Sequence, residues 1–278
     1  MPDREPWCLS RERARSLRAA CDGNYAAAFA ALIPHVGHEF GGTRTFGSVI
    51  AVATGLERAF YDPVMATQAD ADTGDVIEAV QWIRSLGLAA SVQVREELRG
   101  RFERVLGEVG LEADPWVTPG MALYPIPSSP SPPGGLRIER VGVDAFEDWH
   151  EGIAYGPRFK RVYGATLLDD PAFRFVVGFL DDQPVAGAAA ILADGVAGIY
   201  AVGTVESARR QGFGQALPGA PSWPGWRWDA TLRFCSPRRW PSAPTGEWVS
   251  WRCADTSSIC PTRSEHEPVA TARCAWAR

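Results

Sequence analysis

A short segment with two arginines and two glycines is the part of this 278-residue chain best suited to chemistry. It follows an apolar strand pattern and starts a helical one, so unpaired backbone N–H groups are directed at one point. Glycines let a ligand approach such a point closely, and arginines add positive charge. The segment therefore indicates a cradle for a pyrophosphate. Its members are Arg209, Arg210, Gln211, Gly212, Phe213 and Gly214.

Two other interpretations of this segment rest on the same residues. A helix start with two glycines that serve only packing would give the same short pattern. A dinucleotide-binding loop needs a third glycine where this chain has Leu217. Such a loop also opens a βαβ unit, whereas the strand patterns before this loop form a meander, so the dinucleotide interpretation fits less well.

The loop comes at the end of a regular series of elements. Alternating or fully apolar runs predict strands, and a longer mixed run predicts a helix. Asp181 and Asp182 lie between two of the strands and predict a hairpin turn. The strand patterns are LRIERV (136–141), FRFVVGFL (173–180), PVAGAAAIL (184–192) and VAGIYAVGTV (196–205), and DAFEDWHEGIAYG (144–156) is helical.

This order, ending in R-x-x-G-x-G-x-A-L, resembles the GNAT superfamily of N-acetyltransferases over residues 136–217. The resemblance implies an α+β fold with a mixed, mostly antiparallel sheet flanked by helices. It implies that the loop binds the pyrophosphate of acetyl-CoA and that the strand before it splays from its neighbour. The backbone implied to pair with the pantetheine arm is that of Ala201, Val202, Gly203 and Thr204.

The same resemblance implies transfer of an acetyl group from acetyl-CoA to an amine, carried by a small molecule or a peptide. No carboxylate on the strand at 196–205 stands out as a general base, so the catalytic residues stay unassigned. Two alternatives to an active enzyme remain open. One is a non-catalytic acyl-CoA-binding or scaffold protein, and the other is an inactive pseudogene product.

The last part of the chain, 218–278, departs from the family pattern. It contains seven of the eleven tryptophans, eight of the 22 prolines and four Leu, Ile or Val residues, so no helical or strand period can be recognised. Reading plausible codons for 234–251 in a shifted frame gives a peptide with RTYRRMGFV, which resembles the missing tyrosine helix and Gly-Phe strand. We interpret 218–278 as an aberrant, frameshifted and disordered tail, and expect the chain as written to be impaired.

The first part of the chain, 1–126, is interpreted as a degenerate copy of the same fold. Residues 81–112 parallel the peptide recovered by the frame shift, and helical patterns at 10–31, 73–86 and 97–109 alternate with strand patterns. Where a glycine loop would precede the second helix, this unit has the acidic MATQADADTGDV (65–76), which would repel a pyrophosphate. A proline-rich linker, 127–135, separates this first unit from the second unit at 136–217.

Composition limits the remaining possibilities. The net charge is −5, the pI is about 5.5 and Lys160 is the single lysine, which argues against a nucleic-acid partner. No apolar run is long enough for a bilayer and no signal-peptide core is present, so no membrane partner and a cytoplasmic location are expected. No CxxC pair occurs, and His35 with His38 has no third ligand, so no metal site is predicted.

Overall fold

The computed structural model describes residues 11–36, 42–56, 58–121, 132–193, 195–217, 233–234 and 244–253. Its elements form two β-sheets with helices packed against them. The first half contains α1 Arg11–Val36, β1 Gly42–Phe46, β2 Val49–Ala53, β3 Pro63–Ala66, α2 Thr73–Ser85, β4 Ser91–Arg95, α3 Arg99–Glu108 and β5 Leu111–Met121. The second half contains β6 Arg137–Arg140, α4 Phe146–Ile153, β7 Phe173–Leu180, β8 Gln183–Ala193, β9 Val196–Thr204, α5 Phe213–Ala216, β10 Arg233–Phe234 and β11 Pro244–Cys253.

The first sheet has the strand order β1-β2-β3-β4-β11-β5, and the second has the order β10-β9-β8-β7-β6. Each sheet contains a single parallel pair, β3 with β4 and β9 with β10, and all its other pairs are antiparallel. The predicted α+β fold with mostly antiparallel sheets and flanking helices is confirmed. In each sheet the two parallel strands are joined by a loop and a helix, α2 between β3 and β4 and α5 between β9 and β10.

Local sequence explains the sharpest turns of the second sheet. Asp181 and Asp182 have φ angles of 49° and 59°, the pair of left-handed residues that a two-residue hairpin needs, and they connect β7 directly to β8. Aspartate accepts this conformation more readily than most residues. Helix α4 ends at Ala154, which is also left-handed with a φ of 54°. That residue turns the chain sharply where α4 reaches β9.

The core of the second sheet is built around Trp149 of α4, which is fully buried. Its ring lies 4.8 Å from the ring of Phe175 in an edge-to-face contact, and its Nε1 donates to the carbonyl of Ala188 at 3.1 Å. His150 on the same helix is also buried, and its Nε2 donates to the carbonyl of Tyr163 at 3.0 Å. Burial lowers the pKa of His150, so this histidine is a neutral core residue.

Helix α1 belongs by sequence to the first unit, but it packs on both sheets. Tyr25 and Phe29 lie in a core cluster with Val52 and Met65 of the first sheet, whereas Leu32 lies in the cluster around α4. The boundary region 122–131 is outside the described residues, so the division into two domains stays a proposal. The shared helix means that the two sheets support each other.

The expectation that 218–278 lacks regular structure is wrong for two segments. Strand β10 pairs in parallel with the start of β9, and β11 lies between β4 and β5 with antiparallel pairing on both sides. The physical reason is that β4 and β5 each offer an edge of unpaired backbone groups, which a strand rich in Trp, Val and Thr can satisfy. The other tail residues lie outside the described part.

No helix in the described ranges combines the length and the apolar character that crossing a bilayer requires.

Candidate functional site

The strand before the glycine loop has one open edge. Strand β9 pairs with β8 along its length, but β10 pairs only with Ala197 and Gly198 at its start. Beyond Gly198, no other strand in the described part of the chain pairs with that side of β9. The stretch 199–204 therefore presents backbone groups to whatever extended molecule lies beside it.

A β-bulge interrupts β9 at the residues predicted to face the cofactor. Gly203 pairs with Gly187 and Tyr200 with Ala189, so Ala201 and Val202 together oppose one residue of β8. Ala201 has a φ of 50°, a left-handed conformation that is uncommon in a strand. A bulge bends its strand and increases the local twist, so this one redirects the open edge within the predicted site.

Helix α4 approaches the same stretch of β9 very closely. A β-carbon added at Gly203 would lie 2.0 Å from the carbonyl oxygen of Ile153, so only glycine fits there. The backbone of the helix end therefore rests directly on the strand. This contact places the residues that follow α4 beside the open edge.

Two side chains donate to the open edge of β9. The Tyr155 hydroxyl donates to the carbonyl of Val202 at 2.8 Å, and Nε of Arg209 donates to the carbonyl of Thr204 at 3.2 Å. A tyrosine hydroxyl is protonated at neutral pH, so it can donate this hydrogen bond. Tyr155 was not among the residues predicted for the site, because the sequence pattern places it inside the helix expected at 144–156 and gives no local signal for this contact.

The loop after β9 leaves a row of backbone donors without acceptors. Arg210 and Gly212 have φ angles of 65° and 86°. Within the described residues, no acceptor pairs with the backbone N–H groups of 210–214, whereas those of Gln215 and Ala216 donate to the carbonyl of Gly212. Left-handed residues in a turn can bring successive N–H groups toward one point, which is how backbone forms an anion-binding concavity.

The predicted loop residues differ in what they can offer a ligand. Arg209, Arg210 and Gln211 are exposed, whereas the side chain of Phe213 is buried in the core with Leu217. Phe213 can therefore contribute only its backbone. A β-carbon at Gly214 would lie 3.2 Å from Oγ1 of Thr204, so this glycine lets the loop lie against the strand.

A buried network supports the start of β9 from α1. Asn24 is fully buried; its Nδ2 donates to the carbonyl of Val196 at 2.9 Å, and its Oδ1 accepts from the Tyr200 hydroxyl at 2.7 Å. Gly198 makes room for this pair, because a β-carbon there would lie 2.1 Å from the Asn24 Oδ1. Tyr200 is thus a packing residue that anchors β9 one residue before the bulge.

Other candidates from the sequence have structural roles or lie outside the described part. Nε2 of His35 lies 2.9 Å from a carboxylate oxygen of Asp170, and His38 is not among the described residues. No group of three or more His, Cys, Asp or Glu side chains in the described ranges could hold a metal ion. No carboxylate lies on β9 itself.

Comparison with models of protein families gives no match, and comparison with curated proteins gives none either. Solved structures do match. A GCN5-related N-acetyltransferase from Kribbella flavida superposes with a TM-score of 0.62 and 21% identity, covering 87% of this chain and 95% of that chain. One from Sphaerobacter thermophilus gives 0.50 and 16%, covering 84% and 92%. A conserved protein of unknown function from Staphylococcus epidermidis gives 0.52 and 13%, covering 77% and 94%.

A match over 87% of the chain includes elements of both sheets. The chain has the fold of the GCN5-related N-acetyltransferases.

Proposed function

We propose that this protein is an N-acetyltransferase that moves an acetyl group from acetyl-CoA to an amine of a small molecule or peptide. One observation carries the proposal: the open edge of β9 at 199–204 is followed, after a short 3-10 turn at 206–208, by the row of unpaired N–H donors at 210–214. An extended amide-containing arm fits an open strand edge, and a pyrophosphate fits such a row of donors. The two sites are adjacent and in the order that acetyl-CoA requires.

The residues present fit this cosubstrate in charge and shape. Arg209 and Arg210 are exposed cations beside the loop, and Gly212 and Gly214 keep the loop free of side chains where phosphates would approach. Acetyl-CoA supplies a thioester, whose carbonyl carbon is open to attack. The chain's part is to hold it: the strand edge orients the arm, and backbone N–H groups polarise the carbonyl.

Acetyl transfer joins the amine nitrogen to the acetyl carbon and breaks the carbon–sulfur bond. The amine gives up a proton and the departing thiolate takes one. No carboxylate of β9 is placed for the first step, so a water relay is the route we propose for the proton of the amine. We assign no catalytic residue.

The second candidate is a non-catalytic acyl-CoA-binding protein. The absence of a carboxylate on β9 favours it, since binding needs the edge and the loop but turnover needs proton transfer as well. Release of free thiol from acetyl-CoA in the presence of a panel of amines separates the two candidates. Binding without amine-dependent thiol release would favour the non-catalytic function.

Calorimetric titration of the full chain with acetyl-CoA tests the binding site. Arg209→Ala removes a cation at the loop, and Gly212→Ala places a β-carbon on a backbone with a φ of 86°. We expect each variant to weaken binding by roughly ten-fold or more, the size of one charge-assisted hydrogen bond or a comparable strain. Arg104→Ala, on the exposed face of α3, is the matched control. Unchanged affinity in both loop variants would contradict the assignment.

A further inference from the structure

The carbonyl groups on the open edge of β9 already have hydrogen-bond donors from the chain itself. The N–H of Val205 donates to the carbonyl of Val185 on β8 at 2.9 Å. Because the two edges of a strand alternate, the carbonyls of Thr204 and Val202 point away from β8. These are the two carbonyls to which Arg209 and Tyr155 donate. The edge is therefore capped by two side chains at alternate residues.

Tyr155 is well placed to hold and to release this contact. The left-handed turn at Ala154 brings it from the end of α4 to the strand, and its ring contacts the Phe159 ring edge to face at 4.9 Å. The side chain is nevertheless 48% exposed, which is unusual among the large apolar and aromatic residues described. An exposed ring attached to a firmly packed helix can swing away without disturbing the core.

An incoming extended chain would compete with Tyr155 for one atom. Amides that pair with an open strand edge do so by donating to carbonyls such as that of Val202 and by accepting from the N–H groups between them. A strand that pairs with this edge places its own amide donor on the outward side of the Val202 carbonyl, where the Tyr155 hydroxyl already lies at 2.8 Å. The Tyr155 hydroxyl and a ligand amide cannot both take that position.

We propose that Tyr155 is a latch on the cofactor edge of β9, a positioning residue that caps the Val202 carbonyl in the free protein and is displaced by the pantetheine arm of acetyl-CoA. The inference rests on the proposed function, because it needs a ligand that pairs with this edge. Arg209 is different: its guanidinium is a cation that the loop site also uses, so the latch is assigned to Tyr155 alone.

The latch predicts that loss of one hydroxyl strengthens binding. In Tyr155→Phe the ring and its packing on Phe159 remain, but the ligand no longer has to break the hydrogen bond to Val202. We expect acetyl-CoA to bind the full chain about three- to ten-fold more tightly, which corresponds to one net hydrogen bond. Tyr61→Phe, a neighbouring tyrosine with no bond to β9, should leave the affinity unchanged.

Carbon-13 NMR of ring-labelled tyrosine gives a readout that a purely structural role would not move. The Tyr155 ring-carbon resonance, assigned by its absence in Tyr155→Phe, should shift when acetyl-CoA is added, whereas the Tyr61 resonance should not. Weaker or unchanged binding by Tyr155→Phe overturns the latch while leaving the proposed cosubstrate intact. Absence of acetyl-CoA binding in the wild type and in both variants overturns the proposed function and the latch together.

Discussion

Two strand–loop–helix segments occur at equivalent places in the two sheets, and their strand edges differ. In the first, β3 pairs with β4 at each of its four residues, 63–66, and with β2 on its other side. In the second, β9 pairs with its parallel partner β10 at two residues only. The first segment has no room for an extended ligand between the parallel strands, whereas the second leaves its later residues open.

The loops that follow these two strands also differ in whether their backbone groups have hydrogen-bond partners within the chain. Asp72 caps α2, and its carboxylate accepts from the N–H of Gly74 at 2.7 Å. Arg101 also holds this loop, through the carbonyls of Ala69 and Ala71 at 3.0 and 3.1 Å. The acidic loop thus supplies its own anion to the helix start, whereas the backbone N–H groups of 210–214 have no acceptor among the described residues.

The same strand–loop–helix arrangement can therefore serve packing or binding. Which of the two it serves depends on whether its backbone N–H and C=O groups already have hydrogen-bond partners within the chain. This supports the proposal that the first unit is a degenerate copy whose role is structural. Its helix α1 anchors β9 through Asn24, so the first unit holds in place the strand that we propose binds acetyl-CoA.

The largest expected effect comes from introducing a steric clash where α4 packs on β9. Gly203→Ala places a β-carbon 2.0 Å from the Ile153 carbonyl oxygen, and backbone at such a crossing cannot yield cheaply. We expect the free energy of unfolding to fall by about 3 kcal/mol or more, with loss of acetyl-CoA binding. Urea unfolding followed by tryptophan fluorescence measures the change.

Gly107→Ala in the first unit is the matched control for this substitution. A β-carbon at Gly107 meets nothing within 4 Å, and the residue lies inside α3. Alanine in a helix is favoured over glycine, so this variant should gain roughly 0.5 to 1 kcal/mol. If both variants were equally stable, the close packing of α4 on β9 would be refuted.

A smaller effect concerns the start of β3, where Asp62 is fully buried. Its Oδ1 accepts from the backbone N–H groups of Thr54 and Gly55, but its Oδ2 has no hydrogen-bond partner among the described residues. Burial raises the pKa of Asp62 to about 6. The folded chain therefore keeps a proton that the unfolded chain has released, between about pH 4 and pH 6.

Stability of the wild type should consequently fall as the pH rises through 6. Between pH 5 and pH 7.5, ionisation of Asp62 should lower the free energy of unfolding by about 1.4 kcal/mol, because pH 5 lies about one unit below its pKa in the folded chain. Asp62→Asn cannot ionise and should flatten the dependence. Urea unfolding of both proteins at the two pH values is the measurement, and an equal slope in the variant would rule out Asp62 as its source.

Much of the fold could be predicted from local patterns. The hairpin at Asp181-Asp182, the strand at 196–204 and helix α2 follow from turn residues, apolar runs and a capping aspartate, all of which act over short distances. The position of β11 could not be predicted, because it depends on an open slot between β4 and β5, far away in sequence. Pairing with the free backbone groups of β4 and β5 forms β11 although its own sequence has no recognisable strand period.

The candidate site was predicted only in part, for a related reason. The glycines and arginines at 209–214 are contiguous, so their sequence alone indicated an anion cradle. The contacts of Tyr155 with Val202 and of Asn24 with Tyr200 join residues 47 and 176 positions apart. Helical and strand periodicity cannot predict contacts between residues so far apart in the sequence. The sequence also could not show that the Phe213 side chain is used for packing.

Hydrogen exchange of the full chain, with and without acetyl-CoA, tests the central difference between the two segments most directly. We predict that acetyl-CoA slows exchange of backbone amides in 199–214, where the strand edge and loop are open, and leaves those in 63–76 unchanged. Protection in 63–76, or no change in 199–214 when acetyl-CoA is bound, would contradict it.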